Sequence, residues 1–276
     1  HNMLKDLLKD IIPENLLDKV PRSFDIIGSK EKAVAIIEIP EELKKYKIEI
    51  AKAIQKLNKN VVTVLEKTGK REGVFRIYKF EKIIGNETEV VHREYGYLLK
   101  LDVTKVYFSP REATERQRIA KEVNNGEKVL LLFSGIAPFA IAIAKKKNVK
   151  IFCVEINKDA IKYARENVKL NKVEGKVFNV LGDAKHVKFK ILFDRIIMPL
   201  PLGAHTFLDV AIENIKEGGI IHTYHWGKED EEVKKFFEEK ISEFNVIGKV
   251  IEVRKVLPYA PKIYKYQVKI KIEKKL

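Results

Sequence analysis

Three successive apolar runs end in residues able to hold a nucleotide. The run Val129–Phe133 turns at Ser134-Gly135 and enters an apolar helix after Pro138. Proline suits a first helical turn, where its missing N–H has no intrahelical partner to lose. A strand, a glycine turn and a helix in this length begin a nucleotide-cradling βαβ unit. Glu155, followed by Ile156, closes the next run, Lys150–Val154. That is about 20 positions on, where a carboxylate accepts both ribose hydroxyls. Gly182-Asp183-Ala184 follows Val177–Leu181. An acid there can accept an adenine amino proton, with the Ala184 N–H facing a ring nitrogen. Each feature also has a plainer reading. The first stretch could be an ordinary buried strand and helix, and either acid a helix cap or first-turn residue. Three coordinated positions on three strand ends favour the nucleotide site.

Two further stretches could act on a second substrate. In Asp194–Gly203, DRIIMPLPLG, Pro199 and Pro201 flank one leucine at the end of a buried strand. A rigid loop there can present carbonyls to a base; the plainer reading is a strand terminator. Tyr107–Arg118, YFSPREATERQR, holds Arg111, Glu112, Glu115, Arg116 and Arg118. Its plainer reading is a solvated helix with Glu112–Arg116 and Glu115–Arg118 ion pairs, worth a few tenths of a kcal/mol.

The elements that must position these residues alternate. From Val129 onward, apolar runs at 129–133, 151–154, 177–181, 195–198, 219–224, 246–253 and 263–270 alternate with helices at 138–147, 158–170, 204–216 and 228–244. That pattern predicts an open, mostly parallel sheet with helices on both faces. The last two runs leave no room for a helix, so an antiparallel hairpin, interrupted by Pro258 and Pro261, closes one edge. The predicted fold is α/β, the Rossmann-like seven-stranded sheet of class I S-adenosylmethionine-dependent methyltransferases, over 105–276. Before it, residues 1–104 read as a small α+β domain. It has helices in 4–20 and 41–57 and strands at 24–27, 33–39, 61–65, 74–80, 89–92 and 95–101. His1-Asn2 ahead of Met3 reads as the remnant of an expression tag.

Composition narrows the class of function. The 54 Lys+Arg against 39 Asp+Glu leave a net +15, which suits a polyanionic partner. A Lys/Glu/Ile-rich, heat-adapted composition is the alternative. The single cysteine, Cys153, excludes an internal disulfide, fits a reducing cytoplasm and lies in an apolar run as inert core. No run reaches the roughly 18 apolar residues of a membrane helix, and the N-terminus is no signal peptide. The six histidines show no metal-ligand spacing.

Together YFSPREATER, LFSG, VEIN, the Asp183-Ala184 pair, DRIIMPLPLGAHTFL and EGGIIHTY resemble the archaeal tRNA guanosine-37 N1-methyltransferases and their wyosine-pathway relatives. The similarity runs from about Phe24 to the C-terminus. It implies S-adenosylmethionine as methyl donor and the tRNA anticodon loop at position 37 as substrate, for a monomer with no metal and no membrane. It implies Glu115 as general base and Arg76, in VFRIY, steadying guanine and the charge growing on its O6. Tyr107 would line the site, Pro199 and Pro201 hold the guanine edge, and Glu155 and Asp183 bind ribose and adenine. Phe133, Ser134, Gly135, Ile156 and Ala184 complete the donor pocket. His222, Tyr224, His225 and Trp226 could line the substrate pocket, and lysines and arginines near 67–76 and 262–265 could meet the RNA backbone.

The sequence departs from the family pattern in three ways. The common Asn-Leu-Pro loop begins here with Pro199, as in the branch that also methylates carbon 7 of 4-demethylwyosine, so that second activity is expected too. Leu131 and Ala137 replace a frequent Asp and Gly, which puts donor affinity in question. The resemblance also leaves out the first of the family's usual three domains. Two rival readings remain. One is the wyosine-pathway aminocarboxypropyl transferase, against which Arg111 and the proline pair argue. The other is a basic RNA-binding protein on a retired fold.

Overall fold

The structure, a computed structural model, describes residues 2–69, 77–200 and 203–276. The chain forms two compact units, His1–Arg111 and Glu112–Leu276.

The first unit opens with α1 (Met3–Leu7), capped where the Asn2 side chain accepts from the Lys5 N–H. Strands β1 (Asp25–Gly28), β2 (Ala33–Ile37), β3 (Val61–Lys67) and β4 (Phe80–Ile84) form a sheet in that order. Of the strand expected over 74–80, residues 74–76 lie outside those described, Ile77 makes a single bridge, and the strand observed begins only at Phe80. Between β2 and β3, a 3-10 turn over Glu41–Tyr46 leads into α2 (Lys47–Leu57), the crossover that parallel pairing requires. Leu43, Ile50, Ala51 and Ile54 from this connection pack on Leu4, Leu8, Ala35 and Ile37. A hairpin of β5 (Glu89–Glu94) and β6 (Tyr97–Asp102) completes the unit.

The second unit begins with α3 (Ala113–Glu122), followed by β7 (Lys128–Leu132), α4 (Pro138–Lys146), β8 (Lys150–Glu155), α5 (Lys158–Leu170), β9 (Val177–Leu181) and β10 (Phe193–Met198). Then come α6 (Leu208–Asn214), β11 (Ile215–Gly227), α7 (Asp230–Ser242), β12 (Val246–Ala260) and β13 (Ile263–Lys275). Among the described residues these seven strands form one sheet, ordered β12-β13-β11-β10-β7-β8-β9. Pairing is parallel from β9 to β11 and antiparallel at β13 and β12. The expected seven-stranded sheet with a reversed terminal hairpin is therefore the one observed. Central strands buried on both faces read as continuous apolar runs, and Val129 to Leu132 are all buried. Helix α4 is apolar all round because it too is buried, from Phe139 to Ala144.

The hairpin is longer than its apolar pattern suggests. Pro258 does not end β12, which continues to Ala260. The strand lies at the sheet edge, where a missing N–H costs no ladder bond. The β12–β13 register slips at four points, the last between Pro258 and Ala260. Pro261 and Lys262, the latter at φ 63°, make the turn. Proline followed by a positive-φ residue has the form of a type II turn. Likewise β11 begins at Ile215 rather than Gly219.

Candidate active site

Strand register brings the candidate residues of the second unit into one row. Leu132 lies beside Val154, Glu155 beside Leu181, Leu131 beside Ile197, and Met198 beside Thr223. At the carboxyl ends of these strands Glu155, Phe133, Pro199 and Tyr224 therefore follow one another across the sheet. Tyr224 pairs with Gln267, and Gln267 with Arg254. At about 4.8 Å per strand interval, Glu155 and Tyr224 are roughly 14 Å apart.

At one end of the row, the chain leaves β7 through Phe133 (φ 53°), Gly135 (φ 59°) and Ala137 (φ 72°). Glycine takes that conformation freely; phenylalanine and alanine take it at a cost. The Phe133 ring is fixed edge-on to Phe207, with centroids 4.7 Å apart. Ser134 is buried. Glu155 joins the two loops: Oε1 accepts from the Gly135 N–H and Oε2 from the Asn157 N–H, both at 2.8 Å. Burial raises the Glu155 pKa, opposed by the N–H groups of Asn157, Gly135 and Ile156. The cap of α5 is Asn157, whose side chain accepts from the Asp159 N–H at 2.9 Å. Glu155 is thus not the helix cap of its plainer reading. Asp183 partly is a turn residue, because Oδ1 accepts from the Lys185 N–H at 2.9 Å; its side chain stays 45% exposed. Ala184 is buried, and Ile156 and Leu181 are exposed beside these acids. A carboxylate for a ribose diol, a second acid and two exposed aliphatic faces suit an adenosyl group. Cys153, beneath this row, is buried, and burial pushes its thiol pKa far up.

At the other end lies Glu115, only 2% exposed. The Tyr224 hydroxyl donates to its Oε2 at 2.6 Å. The Arg254 guanidinium donates to Oε1 at 2.5 Å and to Oε2 at 3.2 Å. Burial and then the Glu115 charge hold the Tyr224 pKa well above 10.0, so the phenol remains a donor. Burial lowers the Arg254 pKa, but the hydrogen bond and charge of Glu115 outweigh it and raise it. A carboxylate offers about four lone-pair sites. Oε1 accepts one of these donors and keeps a site for another proton.

The solvated-helix reading of this stretch fails: Glu112, Glu115 and Arg116 are all buried. Glu115 pairs with Arg254, and Glu112 with Lys265. Glu122 meets Lys269 at 2.9 Å and Arg195 at 2.6 Å. His222, Tyr224 and Trp226 alternate on the β11 face turned to α3. Of these His222 is spent on structure, between Glu122 at 3.2 Å and Gln267 at 2.7 Å. His225 points to the other face, stacked 4.6 Å from Phe236.

The structure brings together Phe133, Ser134, Gly135, Glu155, Ile156, Asp183 and Ala184 on one side, and Pro199, Tyr224 and Glu115 on the other. Pro199 directly follows β10 and is half-buried. Tyr107 belongs to the first unit, after β6, and is half-buried there. Arg76 and Pro201 lie outside the described residues. Arg254 is the partner that sequence reasoning missed. It sits 139 residues from Glu115 in a strand of alternating charge and apolar residues, with no local motif.

Parallel strands in this order, closed by a reversed hairpin and carrying an acid after the second strand, define a class I methyltransferase fold. The family model of the TRM5/TYW2 methyltransferase domain matches residues 90–254, and that of the TYW2 N-terminal domain matches residues 4–88; the chain belongs to the TRM5/TYW2 family. It is 46% identical to the tRNA (guanine(37)-N(1))-methyltransferase Trm5b of Pyrococcus abyssi, across 95% of this chain and 78% of that one. It is 30% identical to the tRNA(Phe) (4-demethylwyosine(37)-C(7)) aminocarboxypropyltransferase of Pyrococcus horikoshii, across 98% and 96%. The solved complex of aTrm5 and tRNALeu superposes with a TM-score of 0.86 at 33% identity, covering 98% of this chain and 78% of that one. No helix among the described residues is long and apolar enough to cross a membrane.

Proposed function

We propose that this protein transfers a methyl group from S-adenosylmethionine to N1 of guanosine 37 in the anticodon loop of tRNA, acting as a monomer. The observation that carries the reading is the row across the sheet. It sets a nucleotide-type strand end at Glu155 against a buried carboxylate at Glu115, with Pro199 between. Family membership and the 46% identity to a Trm5b enzyme support the same reaction.

Bound S-adenosylmethionine supplies an electrophilic methyl group on a sulfonium. Glu155 would hold its ribose, Asp183 and the Ala184 N–H its adenine, and the 133–135 turn its remaining edge. Guanine N1 carries a proton and is a poor nucleophile at neutral pH. Glu115 takes that proton as the methyl–sulfur bond breaks, leaving a neutral thioether, and the new N–C bond forms. Tyr224 and Arg254 fix the carboxylate, and the remaining acceptor site of Oε1 receives the proton. O6 becomes enolate-like, and a cation beside it stabilises that charge, the role proposed for Arg76. Pro199, Pro201 and Tyr107 hold the base in line, a positioning effect worth several kcal/mol, up to about 10. The same carboxylate serves carbon 7 of 4-demethylwyosine, where a proton must also leave.

A second reading, aminocarboxypropyl transfer, is favoured by the match of residues 4–88 to the TYW2 N-terminal domain. Mass spectrometry of nucleosides separates the two. Transcripts carrying guanosine or 4-demethylwyosine at position 37 are incubated with protein and donor. A methyl mass on guanosine, lost by about 100-fold or more in Glu115→Ala with donor binding intact, is the expected result. An aminocarboxypropyl mass, or full activity in Glu115→Ala, overturns it.

A further inference from the structure

Tyr259, near the tip of the β12–β13 hairpin, lies flat on Trp226 of β11, with ring centroids 4.0 Å apart and planes 14° apart. Tyr259 is 53% exposed, so stacking on Trp226 leaves much of the ring open to solvent. The pair does not belong to the apolar core of the second unit.

Its place matters more than its exposure. Side chains two apart on a strand share a face and lie about 7 Å apart. Trp226 is therefore one step beyond Tyr224 on the Glu115 side of β11. The sequence of the hairpin that carries Tyr259 is one-sided in charge. From Val253 to Ile272 the chain holds Arg254, Lys255, Lys262, Lys265, Lys269 and Lys271 and no acid. Arg254, Lys265 and Lys269 are spent on Glu115, Glu112 and Glu122. Lys262, in the hairpin turn, is exposed, whereas Lys255 pairs with Tyr266 on the other face and lies over the Tyr264 ring. An open aromatic face beside a solvated cation is how proteins hold unpaired nucleotides: the ring stacks the base and the cation meets a phosphate.

We infer that the Tyr259–Trp226 stack is a platform for an unpaired base of the RNA that flanks the reacting nucleotide. This rests on tRNA being the substrate. A base leaving its stack to reach the Glu115 pocket deprives its neighbours of a stacking partner. The platform gives one of them a replacement surface and holds the loop open.

The test uses the full chain and an anticodon stem-loop with 2-aminopurine on one or other side of the target guanosine. Tyr259→Phe keeps the ring and Tyr259→Leu removes it. For the wild type and Tyr259→Phe, binding quenches 2-aminopurine at one of the two positions, and Trp226, the only tryptophan, changes its emission. For Tyr259→Leu the quench disappears and RNA affinity falls about tenfold, while donor affinity is unchanged. If Tyr259→Leu binds and quenches like the wild type, or Tyr259→Phe fails equally, the platform is wrong and the methyl-transfer reading stands. If the wild type neither binds nor methylates the stem-loop, both readings fall.

Discussion

The Tyr224 hydroxyl donates to Glu115 Oε2 at 2.6 Å across 109 residues of sequence. Together with Arg254 it fixes the buried Glu115 carboxylate, the group proposed as base. Tyr224→Phe removes a hydrogen bond to a charged group and is expected to cost about 2 kcal/mol of stability. Because the carboxylate then loses one of its two anchors, single-turnover methyl transfer should fall further than RNA or donor affinity. A thermal melt and a quench assay on the same preparation give both readouts.

Arg254→Met leaves the Glu115 charge buried without its cation. Breaking a buried pair from one side costs about 3 kcal/mol. Adding Glu115→Gln removes the orphaned charge, so the double variant should be more stable than Arg254→Met alone. Urea denaturation of the four proteins closes the cycle, and strict additivity would show that the two side chains do not interact.

Donor binding should weaken in acid through Glu155. Burial raises its pKa, so the folded state holds the proton more tightly than the unfolded chain does. Its contribution to stability is full below the unfolded value and is lost as pH rises through the folded one. Ribose hydroxyls donate to the ionised form, so binding has the opposite sign. Calorimetry should show S-adenosylmethionine affinity falling as pH drops towards the ordinary carboxylate value, and Glu155→Gln should bind weakly with a flat profile.

His225 should make the protein acid-sensitive. Burial, followed by repulsion from His205, lowers its pKa from 6.5 to about 4. The folded state holds the ring neutral, stacked on Phe236. The stability this confers is present above pH 6.5 and is lost as pH falls through about 4. His225→Phe keeps the stack without the titration. Its melting temperature should fall less than that of the wild type over this window.

Ala137 occupies the left-handed region at φ 72° as the residue capping α4. The conformation costs alanine about 1 kcal/mol, which glycine avoids. Ala137→Gly is expected to raise stability by up to about that amount, less glycine's greater chain entropy. It should also leave the Gly135–Glu155 contact in place. A melt and a donor titration check both.

The strand ends were legible because their signals are local. An apolar run stops, an acid or glycine follows, and the parallel architecture places each at the same edge. Glu155 and Asp183 needed no distant partner to be found. The role proposed for Glu115 came only from resemblance, since its surroundings come from β11 and β12, far along the chain. One clue was present without resemblance. Glu112, Glu115, Ile119 and Glu122 fall at helical spacing, and the acid-free stretch 253–272 is their complement. The hairpin's length was hidden because Pro258 reads as a stop unless the strand is known to be an edge.

That edge has a consequence for the behaviour of the protein in concentrated solution. β12 offers fifteen residues of outer strand, long enough to template a chain from another molecule. Its four slips in register break the row of outward N–H and C=O groups into short, misaligned pieces, and Pro258 deletes one donor outright. A second copy approaching edge to edge finds no continuous ladder to extend, and its own lysines face those already there. The irregularities that obscure this strand in the sequence thus protect the fold against self-assembly into sheets.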